Sequence, residues 1–114
     1  MAKTTEYFFK EGCFIEEWHN SSADDEMSVA RVRVEVDKTT KPHLLRNTKE
    51  RYVLLDGTAQ VTVGSKTWMV EQGDIVEIPP NVVQKIQNVG SSDLVFLAIC
   101  TPRFEEQNYQ EILD

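Results

Sequence analysis

Between residues 27 and 36 the chain alternates strictly. Ala30, Val32, Val34 and Val36 fall on one face, and Arg31, Arg33 and Glu35 on the other. A period of two sets one face against a core and the other in water, which is the pattern of a half-buried β-strand. Runs of the same kind follow at 50–55, 59–63, 66–70, 75–78 and 83–88. They are divided by Asp56-Gly57, Gly64-Ser65, Gln72-Gly73 and Pro79-Pro80-Asn81, all residues that form turns readily. Short strands separated by turns at close intervals predict an all-β sandwich or barrel.

Residues 94–100 are apolar on both faces, so that strand is expected to be covered on both sides. A central place in a sheet, or burial against a second subunit, meets the requirement, and a homodimer is expected. Two segments read differently. Residues 20–26 are polar and acidic and predict a surface loop. After Pro102, the spacing of Phe104, Tyr109, Ile112 and Leu113 suggests a short C-terminal helix folded back on the barrel.

With 114 residues and no linker or repeat, the chain reads as one domain, 1–114, with a barrel core about 27–101 and both terminal segments packed outside. No apolar run approaches the roughly 20 residues of a membrane helix. The opening MAKTTEYFFKEG lacks the apolar stretch of a secretory signal, so a cytoplasmic location and no membrane partner are expected. Acids outnumber bases by 19 to 12, which argues against nucleic acid as a partner. Cys13 and Cys100 lie in apolar stretches with no Cys-x-x-Cys spacing, and read as buried thiols.

Residues 37–88 resemble the two signature motifs of the cupin superfamily. In the first, Asp37 stands at the opening glycine, His43 at the first histidine, Leu45 at the second histidine, Glu50 at the glutamate and Gly57 at the closing glycine. In the second, Gly73, Pro79 and Asn88 match, while Asn81 replaces a glycine and Gln84 the histidine. The stretch DLVFLAICTPRF also resembles small bacterial cupins described as mannose-6-phosphate-isomerase-like. The resemblance implies a cupin fold, that is, a double-stranded β-helix or jelly-roll barrel of two antiparallel sheets.

It also implies a site. Metal-binding cupins hold one transition-metal ion between two histidines, the glutamate and a third histidine. Here that set becomes His43, Glu50 and Gln84, completed by water, around iron, manganese, nickel or zinc. Alternation points the same way: Glu50 shares a face with Tyr52 and Leu54, and Gln84 with Val82 and Ile86. Glu50 and Gln84 are therefore polar groups on core-facing sides, and a buried carboxylate needs a compensating partner. His43 and Gln84 are candidate ligand-binding residues, and Glu50 or Tyr52 candidates for proton transfer.

Lys38, Lys41, Arg46, Lys49 and Arg51 crowd residues 38–51, and a positive rim with Arg46 in it would favour an anionic ligand. Lys49 and Arg51 fit better on the barrel exterior, and Arg46 lies out of phase with His43. His19 is expected at the surface. Two functions remain open: a metal-assisted enzyme, isomerase-like or dioxygenase-like, acting on a small polar, anionic or sugar-like molecule; and a metal-free, non-catalytic binding module. A purely structural hydrogen-bond network of His43, Glu50 and Gln84 is the third reading.

Overall fold

The expected alternation is realised as two antiparallel sheets in a computed structural model that describes residues 5–113. In one sheet the order is β1 (Tyr7–Phe9), β2 (Cys13–His19), β3 (Ser28–Val34), β10 (Leu94–Thr101), β5 (Lys49–Asp56) and β8 (Ile75–Ile78). In the other it is β11 (Tyr109–Glu111), β4 (His43–Leu45), β9 (Gln84–Asn88), β6 (Thr58–Val63) and β7 (Lys66–Glu71). The first four residues of the amino-terminal stretch read for a signal, and Asp114, lie outside the described residues. No helix among the described residues is long and apolar enough to cross a membrane.

The inner faces meet in one apolar core. Val32 and Val34 from β3, Leu54 from β5, Val61 from β6, Ile86 from β9 and Phe96 from β10 are all essentially inaccessible to water. Strand β10 pairs with β3 on one side and β5 on the other. Its inward Leu94, Phe96, Ala98 and Cys100 are buried in the barrel, while Leu97 and Ile99 on the outward face are half-buried. Val36, grouped with the core by alternation, is exposed, because β3 ends at Val34.

Both termini differ from expectation. The amino-terminal segment is not merely packed outside: β1 and β2 form a hairpin that extends the first sheet, and Cys13 is part of the core. Among the described residues the C-terminal segment contains no α-helix. It makes a single 3₁₀ turn at Glu106–Asn108 and then β11, which pairs antiparallel with β4. A helix of so few residues gains little on its own in water. The free edge of β4 instead supplies ladder hydrogen bonds. The amide of Arg46 donates to the carbonyl of Asn108 at 2.8 Å, and that of Ile112 to Pro42 at 2.9 Å.

Turns hold the two sheets in register. Asp37 and Asn81, which stand where the cupin motifs have glycine, keep the left-handed backbone with φ of 66° and 67°. Asp and Asn tolerate that region better than other side chains do. Gly57, at φ 98°, has a stricter requirement, since an added Cβ would lie 3.1 Å from Leu94 Cα and 3.3 Å from the Asp93 carbonyl. At Gly73, φ 93°, nothing lies within 4 Å. Gly57→Ala is therefore expected to cost about 2–3 kcal/mol and Gly73→Ala only about 1 kcal/mol, read as shifts in urea midpoint. Equal losses at both would show that backbone conformation alone matters at Gly57.

Candidate functional site

The site is assembled from two cross-strand pairs that face each other across the barrel. His43 of β4 sits opposite Gln84 of β9 in one sheet, and Glu50 of β5 sits opposite Cys100 of β10 in the other. Alternation along each strand dictates which side chains point inward, and register then makes neighbours of the four. All four are buried, as expected of Glu50 and Gln84 from their strand faces.

Tyr52, two residues along β5 from Glu50, is also buried, and its hydroxyl donates to the amide oxygen of Gln84. The Gln84 amide and the Cys100 thiol hydrogen-bond in turn to Glu50. One carboxyl oxygen, Glu50 Oε1, remains buried with no hydrogen-bond partner among the described residues. Burial, reinforced by the charge of Glu11, pushes the Glu50 carboxyl up to about 7. An acid poised there gives and takes protons at neutral pH.

Glu11 is a site residue that sequence reasoning missed. It lies in the turn of the β1–β2 hairpin, where Gly12 takes φ 100°. Its carbonyl accepts the Lys41 amide at 2.7 Å, which pins the turn against the barrel wall. The side chain points inward, hydrogen-bonds the Cys13 thiol, and is pushed up to about 7 by burial. Its Oε1 lies 3.4 Å from His43 Nε2.

The imidazole is held from its other nitrogen. His43 Nδ1–H donates to the Lys41 carbonyl at 2.6 Å, which leaves Nε2 as the acceptor. Burial lowers the His43 pKa while it raises that of Glu11. Both shifts favour the uncharged forms, so burial weakens the ion-pair character of this contact.

Tyr109 of β11, also missed, stacks on the His43 ring with centroids 5.1 Å apart and 18° between planes. Glu11, His43, Glu50, Tyr52, Phe96 and Tyr109 all line one cavity of about 60 Å³, enough for a few water molecules. An outer recess of about 450 Å³ shares Tyr7, Phe9, Glu17, Asn20 and Phe104 with it. His19 lines the cavity as well. It is half-exposed and bonded to Asp24 at 2.8 Å, so it is both a surface residue and part of the wall.

No positive rim forms on the inner cavity among the described residues. Arg46 is exposed and turned away from the cavity, donating to Gln110 Oε1 and the Gln107 carbonyl, each at 2.7 Å. Lys49 and Arg51 pair with Glu77 on the exterior, at 3.1 and 3.5 Å. Among the described residues no Lys or Arg lines the inner cavity, whereas Glu11, Glu17 and Glu50 do. An expectation of anion binding through Arg46 therefore has no counterpart in the geometry.

The donor set does not fit a metal centre. Leu45 carries no donor atom, and the Gln84 amide oxygen is occupied by the Tyr52 hydroxyl. Among the described residues no group of three His, Cys, Asp or Glu side chains converges as ligands. His43, Glu50 and Gln84 are brought together, with Gln84 hydrogen-bonded to Glu50 and His43 paired across the strands with Gln84 but bonded to Lys41 and facing Glu11.

Comparison with known proteins agrees with this architecture. Residues 30–100 match the family profile of the cupin domain, Cupin_2, and the chain belongs to that family. It is 30% identical over 114 residues to the uncharacterized protein MJ1618 of Methanocaldococcus jannaschii, covering 98% of this chain and 90% of that one. Among solved structures it resembles Pac13 of Streptomyces, described as a unique nucleoside dehydratase. The TM-score is 0.80 at 18% identity, over 95% of this chain and 83% of the other. KdgF from a Halomonas species superposes with TM-score 0.80 at 12% identity, over 91% of each chain. At these identities the structural likenesses show the fold.

Proposed function

We propose that this cupin binds a neutral, hydroxyl-bearing small molecule of the sugar or nucleoside type and transfers protons on it without a metal. The observation that carries this reading is Glu50 Oε1, a buried carboxyl oxygen on the cavity wall with no hydrogen-bond partner. A bound hydroxyl or an acidic C–H fills that vacancy and meets a group whose pKa, about 7, suits either direction of transfer. The Glu11–His43 pair supplies a second proton site, which isomerisation and dehydration both need. In a dehydration, one group takes the proton from carbon. The other gives a proton to the departing hydroxyl, which leaves as water.

Two further features support a neutral ligand. Glu11, Glu17 and Glu50 line the inner cavity and, among the described residues, no Lys or Arg does, which disfavours phosphate or carboxylate. Phe9, Phe104 and Tyr109 form an edge-to-face aromatic group, with the Phe104 and Tyr109 centroids 6.4 and 5.3 Å from that of Phe9, against which a sugar or base ring can lie. The nucleoside dehydratase described for the similar Streptomyces structure makes uridine a sensible probe.

The test is calorimetry with uridine, D-mannose and D-mannose 6-phosphate, before and after a chelator, with proton exchange from D₂O into bound ligand followed by NMR. The expected result is saturable binding of a neutral compound, unaffected by the chelator, with deuterium entering the ligand. Binding or exchange that requires added metal, or preference for the phosphorylated sugar, contradicts the reading. Chelator-resistant binding without exchange leaves a non-catalytic binding module.

A further inference from the structure

We infer that Tyr109, on the C-terminal strand, is a catalytic residue whose hydroxyl donates to an oxygen acceptor of the bound molecule. The inference rests on the proposed function and adds to it the second half of the ligand's polar pattern.

Among the described residues the cavity wall carries two buried polar atoms without a hydrogen-bond partner, Glu50 Oε1 and the Tyr109 hydroxyl. Buried polar groups are almost always satisfied, so each unsatisfied one calls for a partner the fold does not supply. Tyr109 is only 8% exposed, and its ring is fixed from several sides. It stacks on His43, meets the edge of Phe9, and is anchored by the pairing of β11 with β4, opposite Leu45. A ring held this firmly, with its one polar atom unpaired, is preorganised for a ligand rather than mobile.

The protonation state fixes the direction of the bond. Burial and the neighbouring carboxyls push the phenol well above its ordinary value, so it stays protonated and donates. Tyr52, the other buried tyrosine of the cavity, already spends its proton on Gln84. Its role is to orient Gln84 and through it Glu50, while Tyr109 faces the ligand.

The ligand that satisfies both vacancies presents an acceptor oxygen, a carbonyl or a hydroxyl, to Tyr109. It presents a hydroxyl or an activated C–H to Glu50. An α- or β-hydroxycarbonyl segment of a sugar has this pattern. When the proton on carbon passes to Glu50, charge gathers on the adjacent oxygen, and the Tyr109 O–H is placed to stabilise it.

The experiment compares wild type, Tyr109→Phe and Glu50→Gln for melting temperature and for binding of uridine and D-mannose. Because the Tyr109 hydroxyl makes no hydrogen bond among the described residues, Tyr109→Phe is expected to melt at or above the wild-type temperature. Binding is expected to weaken about tenfold or more, the loss of one desolvated hydrogen bond. A Tyr109→Phe chain that melts several degrees lower overturns the inference, since the hydroxyl is then satisfied by the protein. So does Tyr109→Phe binding within twofold of wild type. If Glu50→Gln has lost binding in that case, the proposed function stands and only the role of Tyr109 falls. Wild type that binds neither compound overturns both.

Discussion

Glu50→Gln is expected to abolish proton exchange into a bound ligand and, at about pH 8, to make the protein more stable than wild type. The second effect follows from linkage. Glu50 has a folded-state pKa of about 7, against 4.5 for an ordinary glutamate. Between those values the unfolded chain releases a proton that the folded chain keeps. Unfolding is then favoured by rising pH, so stability present below about pH 4.5 is lost progressively until about pH 7 and stays lost above it. The displacement corresponds to roughly 3 kcal/mol for this group. Glutamine keeps the shape and the hydrogen bonds to Cys100 and Gln84 but has no proton to lose.

The variant should therefore melt on the order of 10 °C above wild type at about pH 8 and close to it at about pH 5. Differential scanning calorimetry at the two pH values checks this. A gain in stability joined to a loss of function is the signature of a group strained for use. A variant destabilised at pH 8 would mean that ionised Glu50 has a partner and is structural.

Phe96→Ala carries the largest expected cost to the fold itself. Phe96 lies at the middle of β10, is 1% exposed, and rests its ring 4.4 Å from that of Tyr52. It separates the polar site from the apolar core, with Leu54 opposite it on β5 and Val32 opposite it on β3. Truncation removes the buried ring and leaves a cavity that the flanking strands cannot close, because both are fixed by ladder hydrogen bonds. A loss of about 3–5 kcal/mol is expected, a large part of the 5–15 kcal/mol typical of a domain. Urea denaturation should show a lower midpoint with the slope unchanged. Tyr52 would also lose the ring that braces it, so Gln84 and Glu50 should become less well oriented even in the folded fraction. A loss below about 1 kcal/mol would show that the barrel collapses around the gap and that the site does not depend on this floor.

What the sequence made legible follows from how local each determinant is. Glu50, Tyr52 and Leu54 read as one buried face because a strand alternates residue by residue, and Gln84 with Ile86 for the same reason. Placing His43 required the motif, since β4 is too short for a periodic signal of its own. Glu11 was invisible: it sits in a hairpin turn, where no period applies. Its inward direction comes from a backbone bond to Lys41, far away in the chain. Tyr109 was misplaced because a few apolar residues near the C-terminus fit a helical spacing. The competing pairing with β4 depends on an edge that exists only after the barrel has closed.

Arg46 shows the converse limit. A cluster of basic residues reads as a rim only if their directions are known. Here Gln107 and Gln110 of the C-terminal segment hold Arg46 on the outside. How Gln84 could serve a metal turns on a contact of the same long-range kind, the Tyr52 hydroxyl on its amide oxygen.

The central claim is that the barrel holds a carboxyl tuned for proton transfer, and a titration of that carboxyl tests it most directly. Protein labelled with carbon-13 at its glutamate carboxyls would be followed by NMR across the acid and neutral range. The Glu50 resonance is identified by its absence from Glu50→Gln. A midpoint near 7 is the predicted result. A midpoint near the ordinary 4.5 would contradict the account, because Glu50 would then be a fully ionised, internally satisfied group with no proton to exchange at neutral pH.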